Sequence, residues 1–244
     1  MSQQPFQFKK FKVHQDRCAM KIGTDGVLLG AWSSIEHEPK SILDIGAGTG
    51  VIALQLAQRS SESTIDAIEI DDQAHQQCTH NFEHSDWADR LFCYHASVQE
   101  FASEMEHKYD LIVSNPPFFK APKSIDAQTQ NTSQERAVAR FTDTLPFTHL
   151  VVCAAHLLSQ NGVFCTILPQ TEVASFIEIA AQNKLFISKI CTIRGTKTSK
   201  IKRCMLAFST RQSKPKTQEL TIEISRHNYT QEYKNLVSDF YVKM

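Results

Sequence analysis

Residues 41–59, SILDIGAGTGVIALQLAQR, decide the fold. Ser41–Ile45 is a short apolar β-type run, Gly46, Gly48 and Gly50 follow at G-x-G-x-G spacing, and residues 51–59 carry apolar side chains at helical period. A strand that passes through a glycine turn into a helix lets the backbone approach a ligand closely. The helix start adds free N–H groups for a polar or anionic group. A dinucleotide fingerprint would place its third glycine at position 51, which is Val51, so NAD is disfavoured.

Outward from this stretch, β-type and helix-type runs alternate: STIDAIEI (63–70), DQAHQQCTHNF (72–82), LFCYH (91–95) and DLIVS (110–114). LPFTHLVVCAAHLLS (145–159), GVFCTILP (162–169), TEVASFIEIAAQ (171–182), LFISKICTI (185–193) and RCMLAFST (203–210) continue the pattern. This alternation predicts βαβ units and about seven strands in a mostly parallel sheet with helices on both faces. The linker RGTKTSKIKR (194–203) is too short for a crossover helix, so the last two strands are expected to pair as an antiparallel hairpin. A polar stretch between Phe119 and Leu145 is long for a loop in a compact domain and reads as a functional lid or a disordered segment. One domain is expected overall. It comprises an N-terminal extension (1–35), a core (36–212) and a C-terminal tail (213–244) that opens with a Lys/Pro linker and closes on aromatic residues.

Composition narrows the class. With 41% hydrophobic and 21% charged residues the chain can bury a sizeable core. Its 26 basic and 26 acidic residues cancel, so net charge identifies no partner; their distribution does. Ser60 to Asp110 holds twelve acids against Arg90 and Lys108, whereas Ile179 to Gln218 holds ten Lys/Arg and no acid, which predicts an electropositive face. Seven cysteines with no C-x-x-C pair read as free thiols in a reducing compartment. The first residues lack the apolar core of a signal peptide and no run has the length of a membrane span, so a cytoplasmic protein without a membrane segment is expected.

The second strand delivers Glu69 nineteen residues after Gly50, where a carboxylate can accept hydrogen bonds from both ribose hydroxyls of a nucleoside. Asp71 and Asp72 follow so closely that position alone separates the three, and a purely structural βα turn is the bland alternative. The fourth strand ends in Asn115-Pro116-Pro117-Phe118, at the sheet edge where open α/β sheets bind ligands. An exocyclic NH2 is a poor nucleophile because its lone pair is delocalised. Two fixed acceptors, the Asn115 side-chain oxygen and the Pro116 carbonyl, would hold both N–H bonds and free that lone pair, with Phe118 stacked on a planar base drawn out of its nucleic acid. Alone, N-P-P reads equally as a strand-ending turn.

DIGAGTG (44–50), IEIDD (68–72) and SNPPFF (114–119) resemble the class I S-adenosylmethionine-dependent methyltransferases of the N-P-P-[YF] amino-methylating group. The blocks QDRCAMKIGTDGVLLGAW (15–32) and ARFTDTL (139–145) and the closing tail resemble the bacterial tRNA1(Val) (adenine-37-N6)-methyltransferase family, over nearly the whole chain from Phe8 to Tyr241. The resemblance implies a Rossmann-like class I fold and S-adenosyl-L-methionine as cofactor. It also implies a tRNA partner, no metal, and transfer of a methyl group to N6 of adenine-37 in the anticodon loop. Residue by residue it implies that Asp44 and Asn115 are cofactor contacts, Gly46, Gly48 and Gly50 pass the methionine part of the cofactor, Glu69 holds its ribose, and Asn115, Pro116 and Phe118 hold the substrate adenine. Thr24 and Asp25 lie in the block that similar enzymes fold over the cofactor, and read equally as the N-cap of a helix GVLLGAW. Where related enzymes often carry an acid after the third strand to hold the cofactor adenine, this chain reads HASVQ (95–99), so Ser97 or a backbone group is expected to serve.

For the RNA, Arg194, Lys197, Lys200, Lys202 and Arg203 crowd ten residues without an acid, and with Lys9, Lys10 and Lys12 they form a candidate cradle. A solubilising strand edge is the bland alternative. Arg136 and Arg140, at i, i+4, are further phosphate candidates. His75, His80 and His84 share a helix without the context of a metal site and read as a solvated face. The rival activities are N5-methylation of a protein glutamine, guanine-N2 methylation of ribosomal RNA, and RNA binding without catalysis.

Overall fold

The computed structural model describes residues 4–117 and 146–243. In chain order, the first half carries β1 (Phe6–Gln7), β2 (Lys12–Val13), α1 (Thr24–Trp32), β3 (Ser41–Ile45), α2 (Val51–Arg59), β4 (Thr64–Glu69), α3 (Asp72–Glu83), β5 (Leu91–His95), α4 (Val98–Glu104) and β6 (Tyr109–Ser114). The second half carries α5 (Phe147–Leu157), β7 (Leu158–Pro169), α6 (Val173–Gln182), β8 (Phe186–Thr196), β9 (Ile201–Ser209), β10 (Lys216–Ser225), β11 (Asn228–Tyr229) and α7 (Gln231–Val237). A 3-10 turn, Gln170–Glu172, precedes α6.

One nine-stranded sheet runs in the order β11-β10-β8-β9-β7-β6-β3-β4-β5. All neighbours pair parallel except β9, antiparallel to β7 and β8, and β11, antiparallel to β10. The expected β8–β9 hairpin is present. Seven strands and one antiparallel strand were too few: Lys216–Ser225 adds a strand parallel to β8, and Asn228–Tyr229 turns back on it. Only Leu220 of β10 is buried. A strand with so little buried face shows no apolar alternation to read, and backbone pairing with β8 orders it.

Neighbouring strand residues point to opposite faces. Leu111 and Val113 pack with α1, α2 and α3, while Ile112 packs with α4, α5 and α6. The N-terminal β1–β2 pair closes against the other end of the chain, with Phe8 bridged to Tyr241 and the rings of Phe8 and Phe11 stacked at 4.6 Å. Among the described residues, no helix is long and apolar enough to cross a membrane, and no group of three His, Cys, Asp or Glu could hold a metal ion.

Candidate active site

β3 lies between β6 and β4, so the crossovers from β3 to β4 and on to β6 leave it on opposite sides; a crevice opens at such a switch point beyond the strands' carboxyl ends. Ile45 and Ser114 are paired in register and the Ser114 hydroxyl donates to the Ile45 carbonyl at 2.9 Å. Gly46 and Asn115 therefore leave the sheet side by side.

The three glycines have φ of 74°, 55° and 77° at positions 46, 48 and 50, where L side chains are strained. Their reasons differ. Among the described residues, a Cβ on Gly46 or Gly48 would meet nothing within 4 Å, whereas on Gly50 it would lie 2.6 Å from Phe82 Cε1 and 2.9 Å from Cys78 Sγ. The first two line a cradle; the third is set by α3 packing.

Of the three acids at the end of β4 and just beyond it, Glu69, the last residue of the strand, is the one held against the loop. Its Oε2 accepts the Gly48 N–H at 2.8 Å and its Oε1 the Asp71 N–H at 2.9 Å. Asp71 caps α3 by accepting the Ala74 N–H at 2.8 Å, and Asp72 accepts from the Gln76 amide at 2.9 Å. Asp44 is fully buried: one oxygen accepts the Ala53 N–H at 3.2 Å, and the other meets no donor among the described residues. Burial, reinforced by the charge of Glu69 and opposed by the Ala53 N–H, pushes the Asp44 carboxyl up to about 7.

Asn115 follows β6 with its Oδ1 buried and without a donor among the described residues, beside the buried Pro116. A buried acceptor with no partner costs free energy until a donor arrives. Ser97 sits after β5 as the N-cap of α4 in a capping box: its hydroxyl accepts the Glu100 N–H at 3.2 Å, and the Glu100 carboxylate accepts the Ser97 N–H at 2.9 Å. Thr24 and Asp25 are not the cap of α1. The helix already includes them, and its N-cap is Gly23, which has an extended backbone and no side chain to cap with. The Asp25 carboxylate accepts from Arg203 Nε at 2.8 Å instead. Phe118, Arg136 and Arg140 lie outside the described residues.

The basic hairpin stands at the same edge. Thr166 of β7 pairs with both Ser114 and Leu206, and Pro169 pairs with Arg203, so the β8–β9 turn projects beyond the carboxyl ends of the parallel strands. Lys197, Lys200 and Lys202 are exposed there. Arg194 is paired with Glu219 at 2.9 Å and Arg203 with Asp25. Lys9, Lys10 and Lys12 are exposed on or beside the β1–β2 pair, which is tied to the tail by the Lys9 N–H donating to the Phe240 carbonyl at 2.8 Å.

A cleft of about 540 Å³ lies at the opposite edge, lined by Lys40, Ser41, Asp66 and Asp110 where the strands begin. Its carboxylates are already satisfied: Asp66 accepts from the Tyr109 hydroxyl at 2.6 Å, and Asp110 from the Lys40 N–H at 3.0 Å. Among the described residues, Asp44 Oδ1 and Asn115 Oδ1, both buried and without a donor, flank the carboxyl edge instead. Two residues of α3, Gln77 and Asn81, gave no signal in the sequence, because they hold backbone groups 60, 67 and 32 positions away.

A nine-stranded Rossmann-like sheet with a glycine cradle, an acid on the next strand and Asn-Pro-Pro at the switch point defines a class I methyltransferase. The methyltransferase small domain family model matches residues 23–144. The tRNA1(Val) (adenine(37)-N6)-methyltransferase of Christiangramia forsetii is 55% identical over the full length of both chains, and that of Flavobacterium psychrophilum is 52% identical over 98% of this chain and 100% of its own. A crystal structure of a predicted O-methyltransferase from Agrobacterium tumefaciens shares the fold at a TM-score of 0.67 and 16% identity, over 88% of this chain and 96% of its own. The chain belongs to the tRNA1(Val) (adenine(37)-N6)-methyltransferase family.

Proposed function

We propose that the protein transfers a methyl group from S-adenosyl-L-methionine to N6 of adenine-37 in the anticodon loop of tRNA1(Val), in a cytoplasmic setting. The observation that carries this reading is the buried Asn115 Oδ1, without a donor among the described residues, one residue past the Ser114–Ile45 pairing that also leads into Gly46.

The residues present fit the cofactor. Gly46 and Gly48 leave room for it, the Glu69 carboxylate is fixed at the loop with lone pairs left to accept from ribose hydroxyls, and the first turns of α2 and α4 open on the same edge. Bound there, S-adenosylmethionine supplies an activated methyl group on a sulfonium centre. The protein's own part is to hold the acceptor amine. Asn115 Oδ1 and the Pro116 carbonyl accept its two N–H bonds, which localises the nitrogen lone pair and aims it. Orientation and exclusion of water then supply most of the rate. Phe118 is proposed to stack on the base.

The exposed Lys197, Lys200 and Lys202 support a polyanionic substrate approaching this edge. Lys9, Lys10 and Lys12, with Arg136 and Arg140, are proposed as further phosphate contacts. The test is transfer of isotope from labelled cofactor to tRNA followed by nucleoside analysis. Label in N6-methyladenosine is expected; label in N2-methylguanosine, or in protein glutamine, would overturn the reading.

A further inference from the structure

The segment between β2 and α1 crosses the glycine loop, and α3 fastens it there. Asn81, in the last turn of α3, is 2% exposed and uses its carboxamide three times. Its oxygen accepts the His14 N–H at 2.9 Å, and its amino group donates to the His14 carbonyl at 2.9 Å and to the Thr49 carbonyl at 2.9 Å. Thr49 lies between Gly48 and Gly50, so one side chain joins the N-terminal segment to the cradle. Gln77, one turn earlier and equally buried, accepts the Arg17 N–H at 3.0 Å. At i, i+4 the two amides face the same way along the helix.

What they hold lies against the site. Cys18 is buried on this segment, and burial, with the charges of Glu69, Asp71 and Asp16, holds its thiol well above the usual range. Gln15 then closes the loop by accepting the Ile22 N–H at 2.9 Å and delivers the chain to Thr24. Backbone carbonyls cannot anchor themselves on one another, so the Asn81 amino group is what joins the His14 and Thr49 carbonyls among the described residues.

We propose that Asn81, seconded by Gln77, is a positioning residue for cofactor binding: it fixes the N-terminal segment on the glycine loop so that both close on one ligand. This rests on the proposed use of that cradle for S-adenosylmethionine. Asn81→Asp keeps the size and one acceptor but replaces both donors, setting a carboxylate against two carbonyls.

Asn81→Asp is expected to raise the KM for S-adenosylmethionine and the Kd for S-adenosylhomocysteine by about tenfold or more, with kcat at saturating cofactor and the KM for tRNA changed by less than about twofold. Gln77→Met, which keeps the volume and loses the single acceptor, should shift the same two constants in the same direction by a smaller factor, and serves if the first variant does not fold. Equal loss in both KM values and kcat, or a fall in melting temperature with S-adenosylhomocysteine affinity unchanged in a folded variant, would overturn the proposal. Wild-type protein that binds S-adenosylhomocysteine yet methylates no tRNA would sink the substrate assignment while leaving this one standing.

Discussion

Replacing Gly50 and Gly48 by alanine should separate the two uses of the glycine turn. At Gly50 the new methyl carbon would sit 2.6 Å from the Phe82 ring and 2.9 Å from Cys78 Sγ, at φ 77°. Left-handed strain costs about 1–2 kcal/mol and overpacking about 1–3 kcal/mol, offset by roughly 0.4–1 kcal/mol from a stiffer unfolded chain. The net loss is about 1–5 kcal/mol, which for a chain of this size lowers Tm by about 2–20 °C. At Gly48 the strain is similar but the space is open, so the net loss is at most about 1.5 kcal/mol. The added methyl instead enters the cradle, and Gly48→Ala should weaken S-adenosylhomocysteine about tenfold or more. Calorimetric melting and titration of the two variants read both effects. A Gly50→Ala protein that melts like wild type, or a Gly48→Ala protein that is the less stable of the two, refutes the packing argument.

The Asp44 carboxyl, pushed up to about 7 by burial, binds its proton more tightly when folded than when unfolded. Its contribution is fully present below the ordinary carboxylate range and is lost as pH rises from about 4 to about 7, so Asp44→Asn should flatten the fall in stability over that window in urea titrations. The variant Lys197→Ala/Lys200→Ala/Lys202→Ala should lower the slope of log affinity for tRNA against log salt by about 2–3, without changing S-adenosylhomocysteine affinity. An unchanged slope would remove the hairpin from the interface. Ser97→Ala removes the capping box of α4 and should cost about 1 kcal/mol by urea denaturation; a larger loss of cofactor affinity than of stability would give Ser97 a direct contact.

Residues 41–114 were readable because buried parallel strands are apolar runs and the glycine turn punctuates them. β3, α2, β4, α3, β5 and β6 fall where the pattern puts them. α4 was not read, since seven residues with only Val98, Phe101 and Ala102 buried carry too little period to detect. β10 was not read because its order comes from pairing with β8 rather than from its side chains. In the candidate site, the sequence pattern pointed to the left-handed glycines and to Glu69, which the structure ties to Gly48, and to Asn115, whose oxygen is buried. The Asn81 and Gln77 anchors were not, because a buried amide in a helix looks like any polar residue until the backbone it serves is brought beside it. The basic run was visible, but only the structure shows that Arg194 and Arg203 spend their charge on Glu219 and Asp25.

The proposed role of the buried Asn115 oxygen is to hold the acceptor amine. The most direct measurement is single-turnover methyl transfer to tRNA by Asn115→Ala beside its affinity for S-adenosylhomocysteine. A rate reduced about a hundredfold or more with affinity within about threefold of wild type is predicted. Near-normal turnover would contradict it.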